Sequence, residues 1–261
     1  MNLHYMTQIN ALTGVRLLAC LMVAATLGCG SRDEATDRRP RPNGQDAGPR
    51  PAASPSSLAN ESLNPNQGDP RIVVLGDSLT FGLGLSPHEA YPALLQERLR
   101  EKGLAFHVVN AGISGDTSAS GLSRLDLALE GDVRMLIVAL GANDGLRGLP
   151  IPQLRNNLAR IIERAQARGV TVVLAGMEAP TNWGADYTAA FHEVYPSLAK
   201  EYKVALVPFL LEGVVGIDHL NQRDRIHPTA EGDRIIAETV WAVVEPIVQR
   251  LAKQGKGAAG S

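Results

Sequence analysis

Five short apolar runs, none of them alternating with polar residues, constrain this chain more than any other feature. They are Ile72-Val73-Val74-Leu75, Val108-Val109, Met135-Leu136-Ile137-Val138-Ala139-Leu140, Thr171-Val172-Val173-Leu174-Ala175 and Val204-Ala205-Leu206-Val207. A strand with one wet face alternates in polarity. A continuous run reads instead as a strand buried on both faces, the condition of a parallel sheet sandwiched between helices. Between the runs lie 91–102, 118–130, 153–168 and 187–202, each with apolar residues at three- and four-residue spacing. A last such stretch, 229–251, carries Ile235, Ile236, Val240, Val243, Val244 and Ile247 on one stripe. The order βαβαβαβαβα predicts one three-layer α/β domain of flavodoxin-like type over residues 70–252, built on a five-stranded parallel sheet and followed by a flexible tail at 253–261. Function in such sheets collects at the carboxyl ends of the strands.

The residues before 70 have a different character. Arg16 precedes the apolar run from Leu17 to Leu27, too short to cross a bilayer and suited to a signal-peptide core over residues 1–28. The run ends at Gly28-Cys29-Gly30, which resembles a bacterial lipobox, although Thr26 stands where an aliphatic residue is usual. Cys29 is therefore the expected lipidation site. Residues 31–69 are rich in Pro, Ser, Asn, Gly, Asp and Arg, a composition that cannot bury enough surface to order itself and reads as a tether. Together these predict an exported lipoprotein with its domain facing the periplasm, and Gly30 after the cysteine points to the outer membrane. The two cysteines, Cys20 and Cys29, both precede the domain, so it has neither a disulfide framework nor a thiolate nucleophile. With a formal net charge of −2, no basic field exists to hold nucleic acid.

Four loops at strand ends hold the chemistry. Gly76-Asp77-Ser78-Leu79 follows the first strand, where glycine permits a tight departure and places Ser78 at the sheet edge. The segment has no Gly-Lys-Ser/Thr ending and is not a phosphate loop. Before the last helix stands Asp224-Arg225-Ile226-His227-Pro228. An aspartate three residues before a histidine can hold one imidazole nitrogen as N–H and leave the other free to accept a proton from serine. His88, His107, His192 and His219 have no carboxylate so placed in a loop after a strand, and no two histidines pair at metal-ligand spacing. Asn110 to Thr117 and Gly141-Ala142-Asn143-Asp144-Gly145 follow the second and third strands, offering a glycine N–H and an amide as donors to developing negative charge.

Gly76-Asp77-Ser78-Leu79, Gly115, Gly141-x-Asn143-Asp144 and Asp224-x-x-His227-Pro228 resemble the blocks of the SGNH (GDSL) hydrolase family over nearly the whole domain. The longer string from Gly141 to Gly148 and Tyr195-Pro196-x-Leu198-Ala199-Lys200 are similar to its arylesterase and thioesterase I/lysophospholipase branch. The resemblance implies Ser78 as nucleophile, His227 as base and Asp224 as its orienting partner. It also implies an oxyanion hole of the Ser78 and Gly115 N–H groups with Asn143. Gly112 and Trp183 depart from the branch, both at positions expected to concern substrate fit. The activity implied is hydrolysis of carboxylic esters, thioesters or lysophospholipids through an acyl-enzyme, with no cofactor or metal. A carbohydrate O-deacetylase and a non-catalytic glycan-binding lipoprotein are the alternatives. No oligomeric state follows from the sequence.

Overall fold

The computed structural model describes residues 68–258. The signal peptide, Cys29 and tether read from the sequence lie outside the described residues, as do the last three residues of the chain. Strands β1 (Arg71–Gly76), β2 (His107–Gly112), β3 (Val133–Ala139), β4 (Thr171–Ala175) and β5 (Ala205–Val207) form one parallel sheet in the order β2-β1-β3-β4-β5. The chain goes from β1 outward to β2, then crosses back over β1 to β3. That reversal opens a crevice beyond the carboxyl ends of β1 and β3, where ligands bind in sheets of this order.

Val73, Val74, Leu75, Leu136, Ile137, Val138, Val173 and Leu174 are wholly buried, so the two-faced burial expected of continuous runs holds for β1, β3 and β4. It fails for β2. That strand pairs on one side only, and its residues are half-buried or exposed because the sheet ends there. β5, at the other edge, is also only partly covered.

The helices are α1 (Ser78–Phe81), α2 (Tyr91–Glu101), α3 (Ser118–Ser123), α4 (Leu125–Ala128), α5 (Ala142–Leu146), α6 (Ile151–Ala167), α7 (Ala185–Tyr202) and α8 (Ala230–Ala258). α6 shows the sequence logic plainly. A proline sits in its first turn, and Leu154, Leu158, Ile161, Ile162 and Ala165 are each exposed by 1% or less. Gly169, at φ 72°, then turns the chain into β4. Burying each of its four large aliphatic side chains is worth roughly 1.5–3 kcal/mol.

Two boundaries differ from the sequence pattern. The segment 118–130 is two short helices broken at Arg124, whose guanidinium reaches back to the sheet edge. α8 continues past Leu251 to Ala258, through residues expected to be tail.

Candidate active site

The loop after β1 is shaped by close packing. A Cβ on Gly76 would fall 1.9 Å from Thr80 Oγ1, so only glycine lets α1 double back against the strand it leaves. Asp77 caps α1, its Oδ1 accepting the Leu79 N–H at 3.0 Å, and Ser78 becomes the first residue of the helix. Asp77 is fully buried. Burial pushes its carboxyl up to about 6, against the lowering effect of hydrogen bonds from the Leu79 N–H and the Asn143 amide.

The predicted base arrives from the other end of the domain. Gln222 N–H donates to the His227 carbonyl at 2.7 Å, and Asn221 bridges Pro228, closing a loop in which Arg225 takes φ 60°. Asp224 Oδ1 accepts the N–H groups of Ile226 and His227, both at 3.0 Å, while Oδ2 lies 2.6 Å from His227 Nδ1. His227 Nε2 lies 2.9 Å from Ser78 Oγ. The bond to His227 first, and then the two backbone donors, hold the Asp224 carboxyl down at about 2. Ionised, it accepts Nδ1–H and leaves Nε2 facing the serine hydroxyl as an acceptor.

The three predicted oxyanion donors border the same space. The N–H groups of Ser78 and Gly115 have no hydrogen-bond partner among the described residues. Gly115 adopts φ 85° after β2, and Asn143 is the second residue of α5. The Asn143 amide already has partners. Its Nδ2 donates to the Asp116 carbonyl at 2.9 Å and, more weakly, to Asp77 Oδ2 at 3.2 Å.

Several supporting residues escaped the sequence reading. Arg124 binds the Asp116 carboxylate at 2.7 Å and the Gly76 carbonyl at 2.8 Å, tying the Gly115 loop to the end of β1. Asp144 accepts from Ser118 Oγ at 2.6 Å and Ser118 N at 2.8 Å, locking α5 to α3. Nothing in the sequence links partners so far apart. One signal was visible: Trp183, Tyr187, Phe191 and Tyr195 recur every fourth residue, and in the structure they form a ladder with ring centroids 5.8–6.2 Å apart. The ladder backs the Asn143 loop. Tyr195 lies against Gly141, where a Cβ would come within 2.1 Å of its hydroxyl, Phe191 lies against Gly145, and Trp183 covers Gly148.

Gly112 is a matter of packing rather than of substrate fit. A Cβ there would lie 2.3 Å from the Phe81 nitrogen, so the backbone of α1 occupies the space a hydroxyl residue needs. His192 has no carboxylate at triad spacing, but its Nδ1 meets Glu178, fourteen residues back in the loop after β4, at 2.6 Å.

A cavity of about 580 Å³ opens over Ser78, Asn143 and His227, walled by Leu79, Leu83, Leu146, Met177, Phe209 and Ile226. The sheet order, the serine at the end of β1, the His–Asp pair before the last helix and the apolar cavity define an α/β enzyme of the SGNH esterase type. The GDSL-like Lipase/Acylhydrolase family matches residues 74–235, and the chain belongs to that family. It is 44% identical over 178 residues to Esterase TesA of Pseudomonas aeruginosa, covering 68% of this chain and 89% of the relative. Thioesterase 1/protease 1/lysophospholipase L1 of Escherichia coli K12 is 39% identical over 178 residues, covering 68% and 84%. Among solved structures, the esterase EstA from Pseudoalteromonas sp., inhibited by monoethylphosphonate, superposes with a TM-score of 0.66 at 30% identity, covering 69% of this chain and 100% of that one.

Proposed function

We propose that this enzyme hydrolyses carboxylic esters or thioesters of medium to long acyl chains by a two-step acyl transfer on Ser78. The observation that carries the reading is the continuous line Asp224–His227–Ser78, with contacts of 2.6 and 2.9 Å, at the floor of an apolar cavity. His227 Nε2 takes the Ser78 proton as Oγ attacks the carbonyl carbon. The tetrahedral oxyanion collapses to an acyl-serine ester, and the leaving alcohol or thiol departs with that proton. Water, deprotonated by the same nitrogen, attacks the acyl-serine and returns the free enzyme. Asp224 stays ionised throughout and stabilises the imidazolium that forms in each half.

The Ser78 and Gly115 N–H groups receive the oxyanion, joined by Asn143. Its 3.2 Å bond to Asp77 is the weaker of its two and is the one the oxyanion replaces. The apolar walls favour an acyl chain longer than acetyl, since a chain in the cavity removes apolar surface from water at about 25 cal/mol per Å². The names of the relatives, an esterase and a thioesterase 1/protease 1/lysophospholipase L1, fit ester and thioester substrates.

A fluorophosphonate probe tests the assignment: it should add one covalent mass, mapped to the peptide holding Ser78, and abolish hydrolysis of p-nitrophenyl and acyl-thioester substrates. Labelling at another residue overturns it. We further propose that the chain is exported and lipidated at Cys29, which would keep the domain near a membrane surface. The support is the short apolar run ending at Cys29 and the polar stretch after it. Cys29→Ser should release or misprocess the protein, whereas unlipidated wild type with a different N-terminus excludes the anchor.

A further inference from the structure

The wall of the cavity carries one accessible anion that the hydrolytic mechanism does not use. Glu178 follows β4 between buried Met177 and Ala179, which fix its backbone, and the residue is part of the cavity lining. Its Oε1 lies 2.6 Å from His192 Nδ1, and the carboxylate remains 38% exposed. When the imidazole is neutral, Nδ1–H donates to this oxygen and orients the carboxylate without cancelling its charge.

The other charged groups in the lining leave Glu178 as the accessible anion. Asp77 is sealed beneath the floor, with both oxygens bonded. His227 faces Ser78 and Asp224. The Arg225 side chain is 80% exposed, with its nearest carboxylate, Asp218, 3.8 Å away. In the strand order, β4 stands two places from β1, roughly 10 Å between strand axes, so the loop that carries Glu178 faces the Ser78 loop across the sheet edge. That is the reach of a group carried several atoms beyond the scissile bond.

We propose that Glu178, positioned by His192, determines leaving-group specificity, favouring esters and thioesters whose leaving group carries an ammonium and disfavouring polyanionic ones. The inference rests on the hydrolase reading above. With the ammonium about 4 Å from the carboxylate in a water-accessible groove, one pair of unit charges is worth about 1 kcal/mol, which changes the relative rate about fivefold. The effect shrinks as salt screens it.

The test measures kcat/KM for butyrylthiocholine, butyryl-coenzyme A and uncharged p-nitrophenyl butyrate at pH 8.5 and low salt, with wild type, Glu178→Gln and Glu178→Lys. The ratio of thiocholine to coenzyme A ester should fall about fivefold in the glutamine variant and further in the lysine variant. In wild type it should fall toward the glutamine value at 0.5 M NaCl. A ratio that stays within twofold across all three proteins, with thermal transitions showing each folded, overturns the proposal. Hydrolysis of the uncharged ester by wild type keeps the hydrolase reading intact in that event, whereas its absence removes both.

Discussion

Two imidazole–carboxylate pairs stand at the same edge of the sheet, and their histidine Nδ1 contacts are both 2.6 Å, yet they are built for different work. Asp224 and His227 are three residues apart in a closed loop, and two backbone N–H groups pin the carboxylate while the imidazole is only 15% exposed. Glu178 and His192 are drawn together from a loop and from α7, with the imidazole 59% exposed. The first imidazole has a serine on its other nitrogen, and no hydrogen-bond partner is found at Nε2 of the second among the described residues. A carboxylate against a histidine is thus a way to hold a ring. What the ring does depends on the group beyond it and on how far water is kept away.

The sharpest way to break the comparison is to remove the serine side. Ser78→Ala and His227→Ala should each lower kcat by roughly 10⁴-fold or more with folding retained. Activity surviving in either variant would make the two pairs equivalent. Asp224 should not titrate in the assay range, because its carboxyl is held at about 2. The acid limb of the pH profile should then carry no step from Asp224, and a step near pH 4 would show that the Asp224 clamp is absent in solution.

Asn143→Asp gives the next largest effect. It keeps size and turn-forming ability but replaces a donor with an anion beside the developing oxyanion, so kcat should fall at least about a hundredfold with little change in KM. A near-wild-type rate would leave Asn143 as a turn residue.

A third carboxylate sharpens the contrast because it is buried with no imidazole at all. Asp233 Oδ2 caps α2 by accepting the Tyr91 N–H at 2.8 Å, its Oδ1 has no partner, and burial pushes the carboxyl up to about 7. A raised carboxyl means that the folded state keeps a proton the unfolded chain releases. Its stabilising contribution is therefore complete below about pH 4 and lost as pH climbs to about 7, with Asp77 acting in the same direction up to about 6. Asp233→Asn should flatten the fall in unfolding free energy between pH 5 and 8 by on the order of 1–3 kcal/mol in urea titrations. An unchanged slope would mean that the group is hydrated.

The smallest effect concerns the exposed pair. Glu178→Gln should shift the unfolding free energy by less than about 1 kcal/mol, as expected for two half-exposed partners. A larger loss would make the pair a structural brace rather than a device for choosing substrates.

The sequence by itself determined the parallel sheet, the run of helices and the residues at the strand ends. Burial of apolar side chains imposes a local period, and tight strand-end turns demand glycine at defined places such as Gly76. Asp224 and His227 were legible together because their contact spans a single loop. Only the tertiary structure decided what lies between distant segments: Arg124 on the Gly76 carbonyl, Asp144 on Ser118, Glu178 on His192, and the Asn143 amide donating to Asp77 and Asp116. It also showed that Trp183, in the turn before α7, joins Tyr187, Phe191 and Tyr195 as a brace for the Asn143 loop, and explained Gly112 by the backbone of α1. Such contacts leave no periodicity in the chain. They depend on which strand ends the sheet order makes neighbours, and that order is set by long-range packing rather than by local pattern.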